Sequence, residues 1–348
     1  MSIDVIGWDI GGAHLKAVAL NEEGYVVHVL QSACPLWQGI DTLTQALDQI
    51  AGAYAGAQPR VHAVTMTGEL ADLFPNRRGG VHALIAVMRR RFGSHLLVFA
   101  GPAGLLEPDQ IGPEHVDRIA SANWMASALW AARRCPCGLL VDVGSTTTDV
   151  IPFGNGVVHA RGYTDHERLR YDELVYTGIL RTPVMTIATS APFNGHWVPL
   201  MNENFATSAD IYRLTGELLE YGDQFPAADG GTKDPEGSAR RLARMIGMDS
   251  ETAGIDAWVE LARFFRECQT ARISRAVNLQ LSRLEPAART PLIGVGIGRF
   301  LVEDVSRRLG RDFIDIGDWI PVLPGSAEFA AADCLPAAAV AYLAKAWA

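Results

Sequence analysis

The stretch VDVGSTTTDV, residues Val141 to Val150, sets two aspartates, Asp142 and Asp149, around a glycine and four hydroxyl residues. The apolar run leading into it reads as a buried strand and the run leaving it as a second β-rich strand, so Gly144 and Ser145 fall in the tight turn of a hairpin. Backbone N–H groups gathered in such a turn make a nest for anions. The hydroxyls of Ser145, Thr146 and Thr147 add donors suited to phosphate oxygens. Carboxylates beside a bare phosphate would repel it, so the pattern calls for a hard cation such as Mg²⁺, bridged by water, near Asp142 and Asp149. A plain β-hairpin with Asp and Thr as turn residues accounts for the same string, and the stretch alone does not separate the two.

A second copy shifts the balance. The opening VIGWDIGGAHLKAVAL reads as a strand ending at Asp9, a turn at Gly11 and Gly12, and a returning strand that carries Lys16. Asp9 and Asp142 stand about one domain length apart, which predicts two similar α/β halves with a phosphate-bearing ligand between their turns. Lys16 would lend that ligand a point charge. Late in the chain, PLIGVGIGRFLVEDV runs a strand through Gly294, Gly296 and Gly298 into a helix, whose N-terminus offers a further anion or nucleotide platform. By itself that glycine pattern is weak, and it lies far too late for a dinucleotide fingerprint. Taken in order, the three turns resemble those of the actin and sugar-kinase superfamily. The resemblance implies an α/β protein of two actin-like, ribonuclease H-like domains with a ligand cleft between them. The expected division is 1–134 with a returning C-terminal helix at 327–348, and 135–326 with insertions.

Bulk properties are unexceptional. The chain has 348 residues, 49% hydrophobic and 20% charged, enough for two domains with sizeable cores. Its net charge of −9 argues against a nucleic-acid surface. The short basic groups NRRGG and MRRRFG read as a solvated helix face. No signal peptide or membrane-length apolar run is visible, and a cytoplasmic protein is expected. Five scattered cysteines fit reduced thiols, and Cys135-Pro136-Cys137 lacks the second Cys or His pair that a structural zinc would need. The oligomeric state is left open, a homodimer included.

The elements that must position these residues follow from periodicity. Strands are predicted at 5–9, 14–20 and 25–31, then a helix over 39–54, a strand at 61–66, a helix over 79–92 and a strand at 95–100. One long Ala-rich helix is predicted over 114–134. After the Asp142 hairpin and a strand near Val157, residues 162–205 read as irregular. Helices up to about 284 follow, and a final helix over 327–347.

Three further stretches carry chemistry. TMTGELADLF puts Thr65, Thr67 and Glu69 at a strand end, where a helix cap is the plain alternative. SANWMASA puts Asn123 and Trp124 on a helix of small residues; a lone tryptophan there is more often core than platform. GYTDHERLRYDELVYTGILRTPV crowds Asp165, Arg168, Glu173, Tyr176, Thr177, Arg181 and Thr182 into a segment with little hydrophobic period, which suits ligand contacts.

Together with DIGGAHLKA, DVGSTTTDVIP, ELVYTGILRTPV, NENFATSADIY and GVGIGRFL, these strings resemble the hydantoinase/oxoprolinase-like proteins linked to tetrahydromethanopterin C1 metabolism. That family's archaeal members are synthases of methanofuran biosynthesis. His14 departs from its pattern, which has a shorter polar residue there. The resemblance implies a transferase in which the phenol of γ-glutamyltyramine displaces diphosphate from 5-(aminomethyl)-3-furanmethyl diphosphate. Turn amides, Lys16 and Mg²⁺ organised by Asp9 and Asp142 would stabilise the departing charge. A phenol ionises near pH 10, so a carboxylate base helps; Glu69 is the first choice and Asp149 the second. Glu173 and Trp124 are candidates to receive the aminomethyl cation. The alternatives are an ATP-dependent small-molecule kinase or hydantoinase/oxoprolinase-type hydrolase, and a non-catalytic nucleotide sensor.

Overall fold

The computed structural model describes residues 2–54, 56–284, 289–325 and 329–347. In chain order its strands are β1 (Val5–Ile10), β2 (His14–Leu20), β3 (Val26–Ala33), β4 (Val61–Met66), β5 (Leu96–Phe99), β6 (Leu105–Leu106), β7 (Cys137–Val143), β8 (Thr148–Gly154), β9 (Val157–Val158), β10 (Leu174–Val175), β11 (Ser190–Phe193), β12 (His196–Pro199), β13 (Leu292–Val295) and β14 (Phe313–Asp315). The α-helices are α1 (Asp41–Gly52), α2 (Arg77–Phe92), α3 (Pro113–Ile119), α4 (Asn123–Ala132), α5 (Asp165–Arg170), α6 (Ser208–Leu214), α7 (Pro235–Met245), α8 (Ile255–Leu281), α9 (Arg299–Arg308) and α10 (Leu335–Trp347). None of the described helices is long and apolar enough to cross a membrane.

The chain divides into two compact units, one of Met1–Gly138, Pro152–Glu167 and Asp315–Ala348, the other of Leu139–Ile151 and Arg168–Ile314. Residues 152–167, read from the sequence with the second half, group with the first unit. In the first unit six strands pair in the order β3-β2-β1-β4-β5-β6. β1 pairs antiparallel with β2 and parallel with β4. Every residue of β1 is buried, because α10 covers one face of the sheet while α1 and α2 pack on the other, and a strand covered twice reads as a continuous apolar run. The second unit is built on the order β10-β8-β7-β13-β14, with a core that joins β7, β13, α6, α8 and α9. A further apolar cluster lies among α6, α7, α8 and the β11–β12 hairpin. The α/β class expected from the three turns is the one formed, each unit carrying a mixed sheet packed with helices.

Gly7 fixes how closely α10 lies on the first sheet. A Cβ there would stand 2.0 Å from the carbonyl oxygen of Ala337 and 2.8 Å from the Cβ of Ala341. Gly7→Ala is therefore expected to lower stability by about 1–3 kcal/mol, the usual cost of overpacking a close-packed interface. The check is the urea unfolding midpoint; a midpoint equal to the parent's would mean that the helix has room to shift. His62 in the same unit is structural. It stacks on Phe92, accepts a hydrogen bond from Trp8 Nε1 at 3.1 Å, and is pushed down to a pKa of about 3 by burial.

Three predicted elements differ. The single helix expected over 114–134 is two, α3 and α4, parted at Ala120–Ala122, where Ser121 has φ of 51°. Its Ala-rich periodicity runs through the break unaltered, and nothing in composition marks a left-handed serine. The stretch expected to be irregular, 162–205, contains α5, β10 and the β11–β12 hairpin. The last helix begins at Leu335; the expected start at Ala327, with Glu328 and the final Ala348, lies outside the described residues.

Candidate functional site

The Asp142 turn of the second unit is shaped by a strap that crosses it. β7 and β8 are neighbours in the sheet, and Gly144 N–H donates to the carbonyl of Thr147 at 2.9 Å to close the turn. The strap is residues 177–181: Ile179 N–H donates to the Gly144 carbonyl at 2.9 Å, and the Leu180 and Arg181 N–H groups both donate to Ser145 O at 3.0 Å. The carbonyls of Gly144, Ser145 and Thr147 are thus occupied, while the amides of Ser145 and Thr146 have no hydrogen-bond acceptor among the described residues. Gly178 permits this approach, since a Cβ there would lie 2.5 Å from Thr146 N and 2.7 Å from Gly144 O. The half-buried turn therefore offers the free amides of Ser145 and Thr146 beside the hydroxyls of Ser145, Thr146 and Thr147, the first two of which lie 3.4 Å apart, a donor set matched to phosphate oxygens.

A buried polar network holds the strap. Thr148 Oγ1 donates to the Thr177 carbonyl at 2.8 Å. Gln269 of α8 donates to Thr177 Oγ1 and to the Gly178 carbonyl, each at 2.8 Å, and accepts from the Tyr212 hydroxyl at 2.7 Å. Thr182 closes the same turn, its Oγ1 accepting from Gly178 N–H at 2.8 Å. The glycines of the late turn belong to this packing. Gly294 faces the Phe313 ring, Gly298 meets Val143 and Ile179, and Gly296, at φ of 79°, brings its backbone against Asp142, where a Cβ would stand 2.5 Å from Oδ1. All three are buried, and each Cβ position is filled by a neighbour.

In the first unit the register sets Asp9 opposite Lys16 of β2 and opposite Thr65 of β4. Asp9 is buried, and Lys16 Nζ donates to the Asp333 carbonyl at 2.8 Å, in the segment just before α10. The turn at Gly11 and Gly12 is closed by Gly11 N–H donating to His14 O at 2.9 Å. Thr67 N–H donates to the Ile10 carbonyl at 2.9 Å, and Gly68 fits against the Ile10 and Gly11 carbonyls, so the loop that carries Glu69 is laid beside the first turn. From the far side α2 presses on it: a Cβ on Gly80 would lie 2.5 Å from Glu69 O.

Glu69 is 1% exposed. Its Oε1 accepts from the Ser121 hydroxyl at 2.8 Å, while Oε2 accepts no hydrogen bond from the described residues. Burial pushes its pKa above the usual carboxylate range; the Ser121 hydrogen bond and the Arg77 charge oppose that shift, and the Asp165 charge adds to it. A buried carboxylate so tuned accepts protons at higher pH than a solvated one, which suits a general base.

Other candidates have structural duties. Asp149, second choice as base, accepts from the buried guanidinium of Arg168 at 2.5 Å, and Arg168 also donates to the Glu173 carbonyl at 3.1 Å. Glu173, read as a partner for an aminomethyl cation, is fully buried and paired with Arg283 at 2.9 Å. Trp124 is buried with its ring edge-on to Tyr163, and Asn123 Oδ1 accepts from Trp124 N–H at 2.8 Å. Tyr176 is 60% exposed, and exposed Arg181 lies over the Phe225 ring. Among the described residues no three His, Cys, Asp or Glu side chains gather into a metal cage. That donor set fits Mg²⁺ only in the manner usual for phosphate enzymes, with one carboxylate such as Asp142 or Asp9 and the remaining positions left to water and phosphate oxygens. The sequence missed Ser121 and Arg77 altogether; Arg77 was read as part of a solvated basic face, yet it pairs with Asp165 at 2.6 Å.

The chain is 33% identical over 264 residues, 75% of its length and 77% of the relative's, to the (4-{4-[2-(gamma-L-glutamylamino)ethyl]phenoxymethyl}furan-2-yl)methanamine synthase of Methanocaldococcus jannaschii. A protein of the same name from Methanococcus vannielii is 33% identical over 124 residues, 36% of this chain and 55% of that relative. Among solved structures, nucleotide-free acetone carboxylase aligns with a TM-score of 0.59 at 11% identity, over 98% of this chain and 70% of that one, a likeness of fold alone. Residues 60–334 match the hydantoinase/oxoprolinase family model. On that match and the identity to the archaeal synthase, the chain belongs to the hydantoinase/oxoprolinase family.

Proposed function

We propose that the protein is an ether synthase that joins the phenol of γ-glutamyltyramine to a furanmethyl group and releases diphosphate. The observation that carries this reading is the identity to the archaeal synthase, whose name describes a phenoxymethyl furan. The local geometry supports it. The amides of Ser145 and Thr146, with the hydroxyls of the same turn, are the donors proposed for the leaving diphosphate, fixed in advance by the 177–181 strap. Mg²⁺ held through Asp142 and phosphate oxygens would neutralise part of that leaving charge. Glu69 takes the phenolic proton at Oε2 as the phenol oxygen bonds to the furan methylene and the methylene–diphosphate C–O bond breaks. Asp149 and Glu173, each in an ion pair, are assigned no part in the proton transfer.

The experiment is mass spectrometry after incubation of the protein with 5-(aminomethyl)-3-furanmethyl diphosphate, γ-glutamyltyramine and Mg²⁺. Ether and diphosphate should appear in equal amounts without ATP. Phosphate released from ATP only when a small-molecule acceptor is added, with no ether formed, would replace this reading by the kinase.

A further inference from the structure

Ser121 sits in the break between α3 and α4, and its hydroxyl touches two carboxylates. Its Oγ lies 2.8 Å from Oε1 of Glu69 and 3.3 Å from Oδ2 of Asp165. A hydroxyl has one hydrogen to donate and two lone pairs to accept with. With both carboxylates ionised, one of the two contacts would bring acceptor against acceptor. Both are satisfied when one of the two carboxyls carries a proton, and because Asp165 Oδ2 already accepts from the Arg77 guanidinium at 2.6 Å, that proton belongs on Glu69: the Glu69 O–H donates to Ser121 Oγ, and Ser121 O–H donates to Asp165. The pair of contacts therefore fits the enzyme just after the base has taken its proton.

The geometry also leads outward. Glu69 and Ser121 are buried, whereas the Asp165 side chain is 18% exposed and the guanidinium of Arg77, 37% exposed, donates to the same Oδ2 at 2.6 Å. Arg77 from α2 and Asp165 from the start of α5 are the charged groups acting on Glu69. The backbone at Ser121 lies in the left-handed region that L-residues disfavour and glycine tolerates, so the hydroxyl is held at this bend against local preference.

We propose that Ser121 and Asp165 form the outlet for the proton accepted by Glu69, an inference that rests on the ether-synthase reading. The phenolic O–H bond breaks and a proton joins Glu69 Oε2. Rotation of the carboxyl turns this O–H to Ser121. Oγ takes the proton as its own passes to Asp165, and Asp165 releases it to water beside Arg77, returning Ser121 and both carboxylates to their starting states. Ser121 and Asp165 are positioning residues that act through Glu69.

The test uses Ser121→Gly, which suits the left-handed backbone and removes the hydroxymethyl group, with Asp165→Asn beside it. ¹³C NMR of protein labelled at the glutamate side-chain carboxyls, with the Glu69 signal assigned by its loss in Glu69→Gln, follows the Glu69 titration without any turnover. Loss of the serine donor should move that midpoint to higher pH. In kinetics, both variants should lose about tenfold in kcat, the acid limb of Ser121→Gly should move to higher pH, and imidazole buffer should restore part of the rate by carrying the proton in place of the outlet. A Glu69 midpoint unchanged in Ser121→Gly, or variant rates that fall without any dependence on buffer concentration, would overturn the outlet. If the parent makes no ether, the function reading falls alone, because the NMR midpoint still decides whether Ser121 is coupled to Glu69.

Discussion

Asp142→Asn should keep the fold and lower turnover by about 10²-fold or more, the usual scale for removing one strong charge contact in a transition state. The side chains are nearly isosteric, and the site is defined by backbone. Asp142 pairs with Val295 across the parallel β7–β13 ladder, Gly296 packs its backbone against the carboxylate, and the strap at 177–181 holds the turn through carbonyls that the substitution leaves alone. On the proposed reading, what changes is the charge that Asp142 would offer to a cation beside the diphosphate. Diphosphate release at saturating Mg²⁺, compared with the thermal midpoint of the same variant, separates loss of chemistry from loss of fold. A turnover equal to the parent's would remove Asp142 from the site.

Glu69→Gln is expected to act in opposite directions on activity and stability. Activity should fall by about 10²–10⁴-fold, the range associated with a positioned general base, with part of the rate returning as pH nears the phenol's own pKa of about 10. Stability should rise above neutral pH. Burial raises the pKa of Glu69 in the folded chain above its unfolded value, so the folded state binds more protons between those two values. Stability contributed by the protonated carboxyl is full below the unfolded pKa and is lost as pH climbs through the folded one. A neutral amide removes that loss, so the variant should be the more stable of the two on the alkaline side. Thermal midpoints of parent and variant, measured from pH 4 to 9, should converge at the acid end and separate at the alkaline end. A variant less stable at every pH would show that Glu69 serves the fold rather than a reaction.

These two residues were legible in the sequence because each sits in a short string with a physical signature, an apolar strand that ends in Asp-x-Gly or in Thr-Gly-Glu. The α/β order of the halves was legible for the same reason. The network around Glu69 was not. Ser121 lies in an Ala-rich run whose helical period crosses the break without interruption, and Arg77 looks like any residue of a basic helix face until its pairing with Asp165 is seen. The charged crowd at 162–182 misled in the other direction. Arg168, Asp149, Glu173 and Arg283 pair with one another, and buried ion pairs leave no more hydrophobic period in a sequence than a ligand site does. The three glycines of the late turn were visible as a motif, but their reason, close contact with Phe313, Asp142 and Ile179, is a property of the packed interior.

The fit of α10 over Gly7 has a consequence for the order in which the chain can fold during synthesis. The first sheet begins with the earliest residues, yet the groove at Gly7 is filled by Ala337 and Ala341, the Lys16 ammonium is met by the Asp333 carbonyl, and the Tyr342 hydroxyl donates to Gly24 O at 3.1 Å. Contacts between such distant residues carry the highest cost of loop closure and form late. Every residue of the second unit precedes Ile316, so that unit can be complete while the first sheet still waits with one apolar face uncovered. A nascent chain of this protein therefore passes through a stage in which its oldest strands are the least protected, and that exposed sheet is the surface on which a holding chaperone would act.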